Sequence, residues 1–466
     1  MGIAGNNFYY FAEKILRMNK ITLKIFLVVL LIGNMWFING QCLPNGITFY
    51  NQETIDNFST DYSGCSVIEG NVTIHDIFGD ITNLNGLSQI VEIQGGLVIN
   101  SSHQLIDLTG LDNLNILGEG LYISENNNLV NLHGLENLNS VGNLSIRNND
   151  NLTNISNLNI MQINDAISIS YNDILSSLNG LENITSINYL LIDNNDSLTN
   201  LSGLDGLSII NSGFDILRND GLIDLSGLDA LVYTNYGVIS ENGSLLTLQG
   251  LESLTTINYF YIQLNDQLQD ISGLSSLTEI IEFNGIEGRL MILENNMLLS
   301  LNGLEGLTAV HGELGIANNN QLSNIGGIRN VDAETITNLY INYNPNLSEC
   351  AVLSVCDHLD IDLENTYIND NNIGCQTPQE VEAACALDTE ENQIAKIKIY
   401  PNPTNGSFEI SGLKDGTIEI IDSQGRTVKK MDLGERNYSI SELTSGIYFV
   451  KITSENSSLT KQLIKI

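Results

Sequence analysis

No lysine occurs between Cys42 and Ala395, where four arginines (Arg147, Arg218, Arg289 and Arg329) face 46 acidic residues. That stretch carries −42, whereas residues 1–41 carry +3 and residues 396–466 carry +2. An acidic body repels nucleic-acid phosphates and anionic membrane surfaces, so nucleic acid is excluded as a partner. Proline (5) and tryptophan (1) are scarce, and no cysteine lies between Cys65 and Cys350. Catalytic signatures are missing as well. His75, His103, His133, His311 and His358 fall at unrelated positions, without HExxH, GxSxG or a nucleophile-and-base grouping. No enzyme and no cofactor are expected. Clusters such as Asp193-Asn194-Asn195-Asp196 lie in no EF-hand loop or G-G-x-G-x-D repeat, so they read as solvated charge. Disorder is not expected, because 42% of residues are hydrophobic.

What is present begins with an apolar run, Ile25–Ile38, behind Lys20 and Lys24 and ahead of Gly40. It is short for a bilayer and reads as a secretory signal peptide over residues 1–40, with Met18 an alternative start. The mature chain then keeps no transmembrane anchor. Gln41 stands where a lipidation signal wants a small residue, so Cys42 is not read as a lipid attachment site. Six cysteines fit export: Cys42 and Cys65 at one end of the body, Cys350, Cys356, Cys375 and Cys385 at the other. Their spacing disfavours zinc and predicts disulfide caps over residues 41–68 and 350–387, the last four cysteines allowing three pairings. Helices are expected around Ala351–Leu359 and Pro378–Ala386.

Between the caps the sequence repeats. A Gly-Leu-like pair recurs from Gly86 to Gly327 at intervals of 23 or 24 residues, with one interval of 30. A period in the twenties means a solenoid whose coils bury their apolar faces against one another. Eleven isoleucines, from Ile99 to Ile341, mark the inward position of a short strand in each coil, and a leucine follows each at the sixth position. At the third position stands Asn126, Asn149, Asn172, Asn195, Asn219, Asn242, Asn265, Asn295, Asn319 or Asn344; only Ser102 departs. Inward asparagines predict a structural ladder that bonds the backbone of adjacent coils.

The pattern I-x-x-x-L-x-I-x-x-N-x-x-L with G-L-x-x-L resembles the receptor L domain, a relative of the leucine-rich repeats. The resemblance covers about Glu69 to Leu347 and implies a mainly β, right-handed solenoid of about eleven coils over residues 69–349. The implied sheet is about 50 Å long at ordinary strand spacing. Ligand identity does not follow from that architecture. A candidate contact face lies one residue before each isoleucine, with Tyr122, Val238, Tyr261, Met291 and Tyr340, and with Leu264 and Leu293 nearby. Ordinary strand propensity explains the same residues equally well. The 30-residue interval adds seven residues between Ile280 and Leu290, read as a recognition loop or a tolerated insertion.

After a polar linker at 388–395, alternating short strands begin. Tyr400-Pro401-Asn402-Pro403 with Gly406, Asp422 with Gly425-Arg426, Leu443 to Tyr448 through Gly446, and the ending from Lys461 to Ile466 occur in order. Residues 396–466 thereby resemble the type A C-terminal sorting domain of the type IX secretion system of Bacteroidetes, a small β-sandwich. The resemblance implies that the outer-membrane export machinery recognises this domain and delivers the chain to the cell surface or the medium. The combined expectation is an exported adhesion or recognition protein with an extracellular protein or glycan ligand. A glycan-holding accessory to polysaccharide degradation, or a structural surface-layer protein, is the alternative.

Overall fold

The structure, a computed structural model, describes residues 41–386, 398–411, 416–432, 438–453 and 458–466. The expected signal peptide and linker lie outside the described residues. Among the described residues no helix is long and apolar enough to cross a membrane. The chain divides into two compact units, one running to residue 268 with 272–277, the other made of 269–271 with 278–466.

In the first unit, each coil contributes one strand to a parallel sheet. Its strands run from Ile47–Phe49 through Val72–His75 and Leu97–Asn100 to Tyr259–Gln263. Pairing keeps the repeat in register, as in Ile99 opposite Ile123 and Ile169 opposite Ile192. The inward isoleucines and leucines are fully buried. Two coils precede those the repeat makes obvious, with Phe49 and Ile74 in the isoleucine column. At the N-terminal end, helix Gln52–Asp56 is capped by the Asn51 side chain, which accepts from the Thr54 N–H at 2.9 Å. Ile55 and Phe58 are fully buried there and cover the first layer, which an open solenoid end would expose.

The ladder is bonded as a ladder. Asn149 Oδ1 accepts from the backbone N–H of Asn126 at 3.1 Å, while Asn149 Nδ2 donates to the Ile123 carbonyl at 3.1 Å. Asn172 and Asn195 repeat the same bonds one and two coils on. One residue before each rung the backbone enters the left-handed region, at Ser101, Glu125, Asn148, Tyr171, Asn194, Arg218, Glu241 and Leu264. For a side-chain-bearing residue that conformation costs about 1 kcal/mol or more, and each coil sustains it because the turn aims an asparagine inward. The recurrent glycine has a second reason. A Cβ at Gly203 would fall 2.3 Å from the Leu178 carbonyl carbon of the preceding coil, and its φ is +111°.

The second unit holds further coils and a separate antiparallel domain. Its parallel strands are Gly288–Leu293, Gly312–Ala317, Ile336–Asn342 and Thr366–Asn369. The last strand lies inside the segment read as a cap, and Ile368 pairs with Ile341. The ladder follows it: Asn371 Oδ1 accepts from the Asn344 N–H at 3.0 Å. The solenoid therefore has about fourteen turns, three more than the repeat columns displayed. Helix Leu353–Ile361 and helical residues 378–386 follow the last regular repeats. The disulfides are Cys42–Cys65 in the first unit, and Cys350–Cys375 and Cys356–Cys385 in the second.

Beyond residue 397 the described strands are antiparallel. Lys398–Tyr400, Ser407–Ser411 and Tyr438–Ser439 form one sheet, and Thr427–Asp432, Thr417–Asp422, Gly446–Thr453 and Ser458–Lys465 form another in that order. They share a core of Phe408, Ile418, Ile420, Tyr438, Ile440, Tyr448, Val450, Ile452 and Leu463.

Candidate recognition face

Strand alternation sends the residues one and three places before each inward isoleucine to the opposite face of the sheet. In the first unit, Tyr122 on that face is 37% exposed. Its ring folds back over Gly120, where a Cβ would meet it at 2.7 Å. Tyr261 is half-buried. Val238 corrects the sequence expectation, being only 8% exposed. Its register neighbours are Asp215 and Tyr261, with Tyr236 two residues earlier on the same face, and the two larger tyrosines shade the valine. Leu264 is exposed but sits at the left-handed corner after the strand, off the face itself.

The face carries a polar cluster that the sequence reading passed over. The Tyr189 hydroxyl donates to the Asp215 carboxylate, and the Tyr236 phenol stands beside the same carboxylate. Burial, with Asp215 beside them, raises both phenols: Tyr189 well above the usual range and Tyr236 up to about 12. Both therefore remain hydroxyl donors at any physiological pH. The clue was available as a second tyrosine column three residues before each isoleucine, where Tyr189, Tyr236 and Tyr259 stand. Close by, Arg218 pairs with Asp193 at 2.8 Å, and Asp193 is nearly buried.

In the second unit, Met291 and Leu293 are half-buried, and the Met291 sulfur overlies Gly315. Tyr340 is half-buried and stacks on Tyr367, with centroids 4.9 Å apart and planes within 8°. Arg289 pairs with Glu313 at 2.7 Å. The inserted residues form a tight hairpin rather than an open loop. Phe283 and Ile286 exchange two backbone bonds of 3.0 Å around Asn284-Gly285, both at positive φ. That is the two-residue turn an Asn-Gly pair favours, and it was legible in the sequence. Phe283 and Ile286 are exposed at its base. The candidate residues divide between the two units: Tyr122, Val238, Tyr261 and Leu264 in one, Met291, Leu293 and Tyr340 in the other.

In the antiparallel domain, the motif residues act as fasteners. Asn402 accepts from the Ile464 N–H at 2.9 Å and donates to the Gln462 carbonyl at 2.8 Å, tying the Pro401–Pro403 turn to the last strand. Gly406 has a φ of +129°, with a hypothetical Cβ 3.2 Å from Ser441 Cα. Asp422 accepts from the backbone N–H groups of Gln424 and Arg426 and from the Arg426 side chain, closing a turn through Gly425. Those donors hold its carboxyl below the usual carboxylate range, the Arg426 backbone first. The Tyr448 hydroxyl donates to the Thr444 carbonyl at 2.7 Å, and Gly446 opens that strand opposite Lys465. Lys461 is half-buried opposite Val450, whereas the lysine that clamps the terminus is Lys465. Its buried ammonium donates to the carbonyls of Ile440, Ser441 and Leu443.

Comparison with known families agrees with both halves of the reading. Residues 64–161 match the receptor L domain, and residues 398–466 match the secretion system C-terminal sorting domain. No curated protein matches the chain. The sorting domain implies interaction with the secretion machinery and export to the cell surface or the medium. The chain accordingly joins a receptor L domain-type repeat solenoid to a secretion-system C-terminal sorting domain.

Proposed function

We propose that this is a non-enzymatic recognition or adhesion protein, a rigid repeat surface carried out of the cell by its sorting domain. The observation that supports the reading most is a contrast between columns. Inward positions repeat Ile, Asn and Leu coil after coil, while the outward position changes through Ser145, Ser168, Leu191, Asp215, Val238 and Tyr261. A face that varies on an invariant frame is what selective binding requires, whereas a purely structural layer gains nothing from variation.

A solid-phase binding assay tests the reading. The exported chain is applied to immobilised extracellular proteins and polysaccharides, with an acid-unfolded sample as control. Saturable capture that depends on the folded chain is the expected result. Self-assembly of the chain without capture of any surface would replace this reading with the surface-layer alternative. The cluster around Asp215 favours a glycan as ligand, and with it the substrate-holding accessory role.

A further inference from the structure

We propose that the outward face of strands Ser186–Asp193, Ile209–Leu217 and Tyr236–Ser240 binds a segment of uncharged polysaccharide, centred on Tyr189, Asp215 and Tyr236. The proposal rests on the recognition reading and adds the site and the ligand class.

Several departures from the repeat coincide here. In most coils of the first unit the corner between the short and long strands breaks the ladder, as at Gln162–Ile163 and Ala166–Ser170. At Ser186–Asp193 and Ile209–Leu217 the strand runs through the corner unbroken. A bulge accompanies this: Ile187 pairs with Ile210, but Tyr189 pairs with Gly213, so the second strand carries one residue more. Bulges re-aim side chains and gather beside functional sites. Gly213 then leaves room for a ring, since a Cβ there would lie 2.7 Å from Tyr236 Cβ and Cδ1. The Tyr236 side chain occupies that space.

Beside the bulge lies a cavity of about 380 Å³ lined by Gln162, Asn164, Asn188 and Asn211, among others. Its amides are ordered in a row: Asn211 Nδ2 donates to Asn188 Oδ1 at 3.1 Å, and Asn188 Nδ2 to Asp165 Oδ1 at 2.9 Å. Asn188 directly precedes Tyr189, and Asn211 precedes Gly213 by two residues.

The chemistry selects a sugar polymer. A pyranose presents a weakly polar C–H face and a rim of hydroxyls, which suits an amphipathic aromatic ring next to fixed acceptors and amides. Asp215 is held by the Tyr189 hydroxyl, with Tyr236 beside it, and keeps further lone pairs to accept sugar hydroxyls. Because the groups are already bonded in place, little ordering cost attends binding. The acidity of the body, at −42, disfavours sulfated or uronate polymers. A protein partner would seek a desolvated apolar centre, and here Val238 is shaded and Leu191 half-buried.

Affinity electrophoresis of the exported chain in gels containing xylan, soluble β-glucan or starch tests the proposal, with alginate as the acidic control. Retardation by at least one neutral polymer and none by alginate is expected. Asp215→Ala and Tyr236→Ala should each weaken it at least tenfold, Asp215→Asn and Tyr236→Phe less, and Tyr50→Ala, exposed in the first coil's turn, not at all. Melting curves of the same variants show whether any loss reflects unfolding, and the two milder variants keep the packing intact. Absence of retardation by every neutral polymer, or retardation indifferent to all four site variants, overturns the glycan assignment. Capture of an immobilised protein in the absence of any polysaccharide binding overturns it too, yet leaves the recognition reading standing. Failure to capture either class removes both.

Discussion

The repeat body and the antiparallel domain satisfy their buried polar groups in opposite ways. In the body one residue type, asparagine, performs the same two-sided bonding in coil after coil, so the load is spread. In the antiparallel domain single residues carry it: Lys465 serves three carbonyls and Asn402 holds two backbone groups of the last strand. The difference teaches where each part is vulnerable. A repeat loses one rung and keeps its neighbours, whereas a fold with one fastener per function has no second copy.

Lys465→Met is the sharpest test of that contrast. It keeps the stem and takes the donor from three carbonyls, of which only Ile440's keeps another, the Leu443 N–H, at a combined cost of about 3 kcal/mol. Chemical unfolding of the purified full-length chain should show the antiparallel domain melting early while the solenoid transition stays put, and secretion of the variant should fail. An unshifted first transition would mean that the clamp carries no load.

Removing a staple comes next. Cys356→Ala with Cys385→Ala opens a 29-residue separation and should cost about 3.6 kcal/mol by chain entropy. Hydrogen exchange should localise the loss to helix Leu353–Ile361 and its surroundings, and uniform loss across the body would contradict a local cap. A mid-ladder change should cost less. Asn195→Ala removes the partner of the Asn172 N–H and the Ile169 carbonyl, about 2 kcal/mol, with the body still folded. Global unfolding by this one substitution would erase the contrast between spread and concentrated load.

The smallest effect concerns acid. His358 is fully buried, its Nδ1 faces the Ala333 carbonyl at 3.4 Å, and its Nε2 has no partner. Burial lowers its pKa below 6.5, so the folded state resists a proton that the unfolded chain accepts. Stability is then full above pH 6.5 and declines as pH falls below it toward the depressed folded value. His358→Gln should flatten that decline in thermal melts taken between pH 7 and 5. An unchanged slope would assign the acid sensitivity to other groups.

Much of this was readable because the physics of a solenoid is periodic. Ile, Asn and Leu recur at fixed offsets, and the offsets specify strand, turn and core together. Two of the three hidden coils have side chains that break the code while keeping the geometry. Phe49 and Ile74 lead their coils without a ladder asparagine after them, and Gln52 and Asp76 bond nearby backbone instead. Ile368 and Asn371 keep the code but lie among cysteines, which pointed to a cap. The contact face was less legible. Exposure on a sheet depends on neighbouring strands, and nothing along Val238's own strand tells that Asp215 and Tyr261 flank it.

By itself the sequence determined the acidic body, the repeat, the asparagine ladder and the sorting motifs, since each depends on residue type at a fixed local spacing. The tertiary structure alone decided the cysteine pairing, the clamp by Lys465 and the gathering of Tyr189, Asp215 and Tyr236. Those three depend on groups brought together across coils or strands. Their distances are set by register and packing, which no single stretch of chain contains.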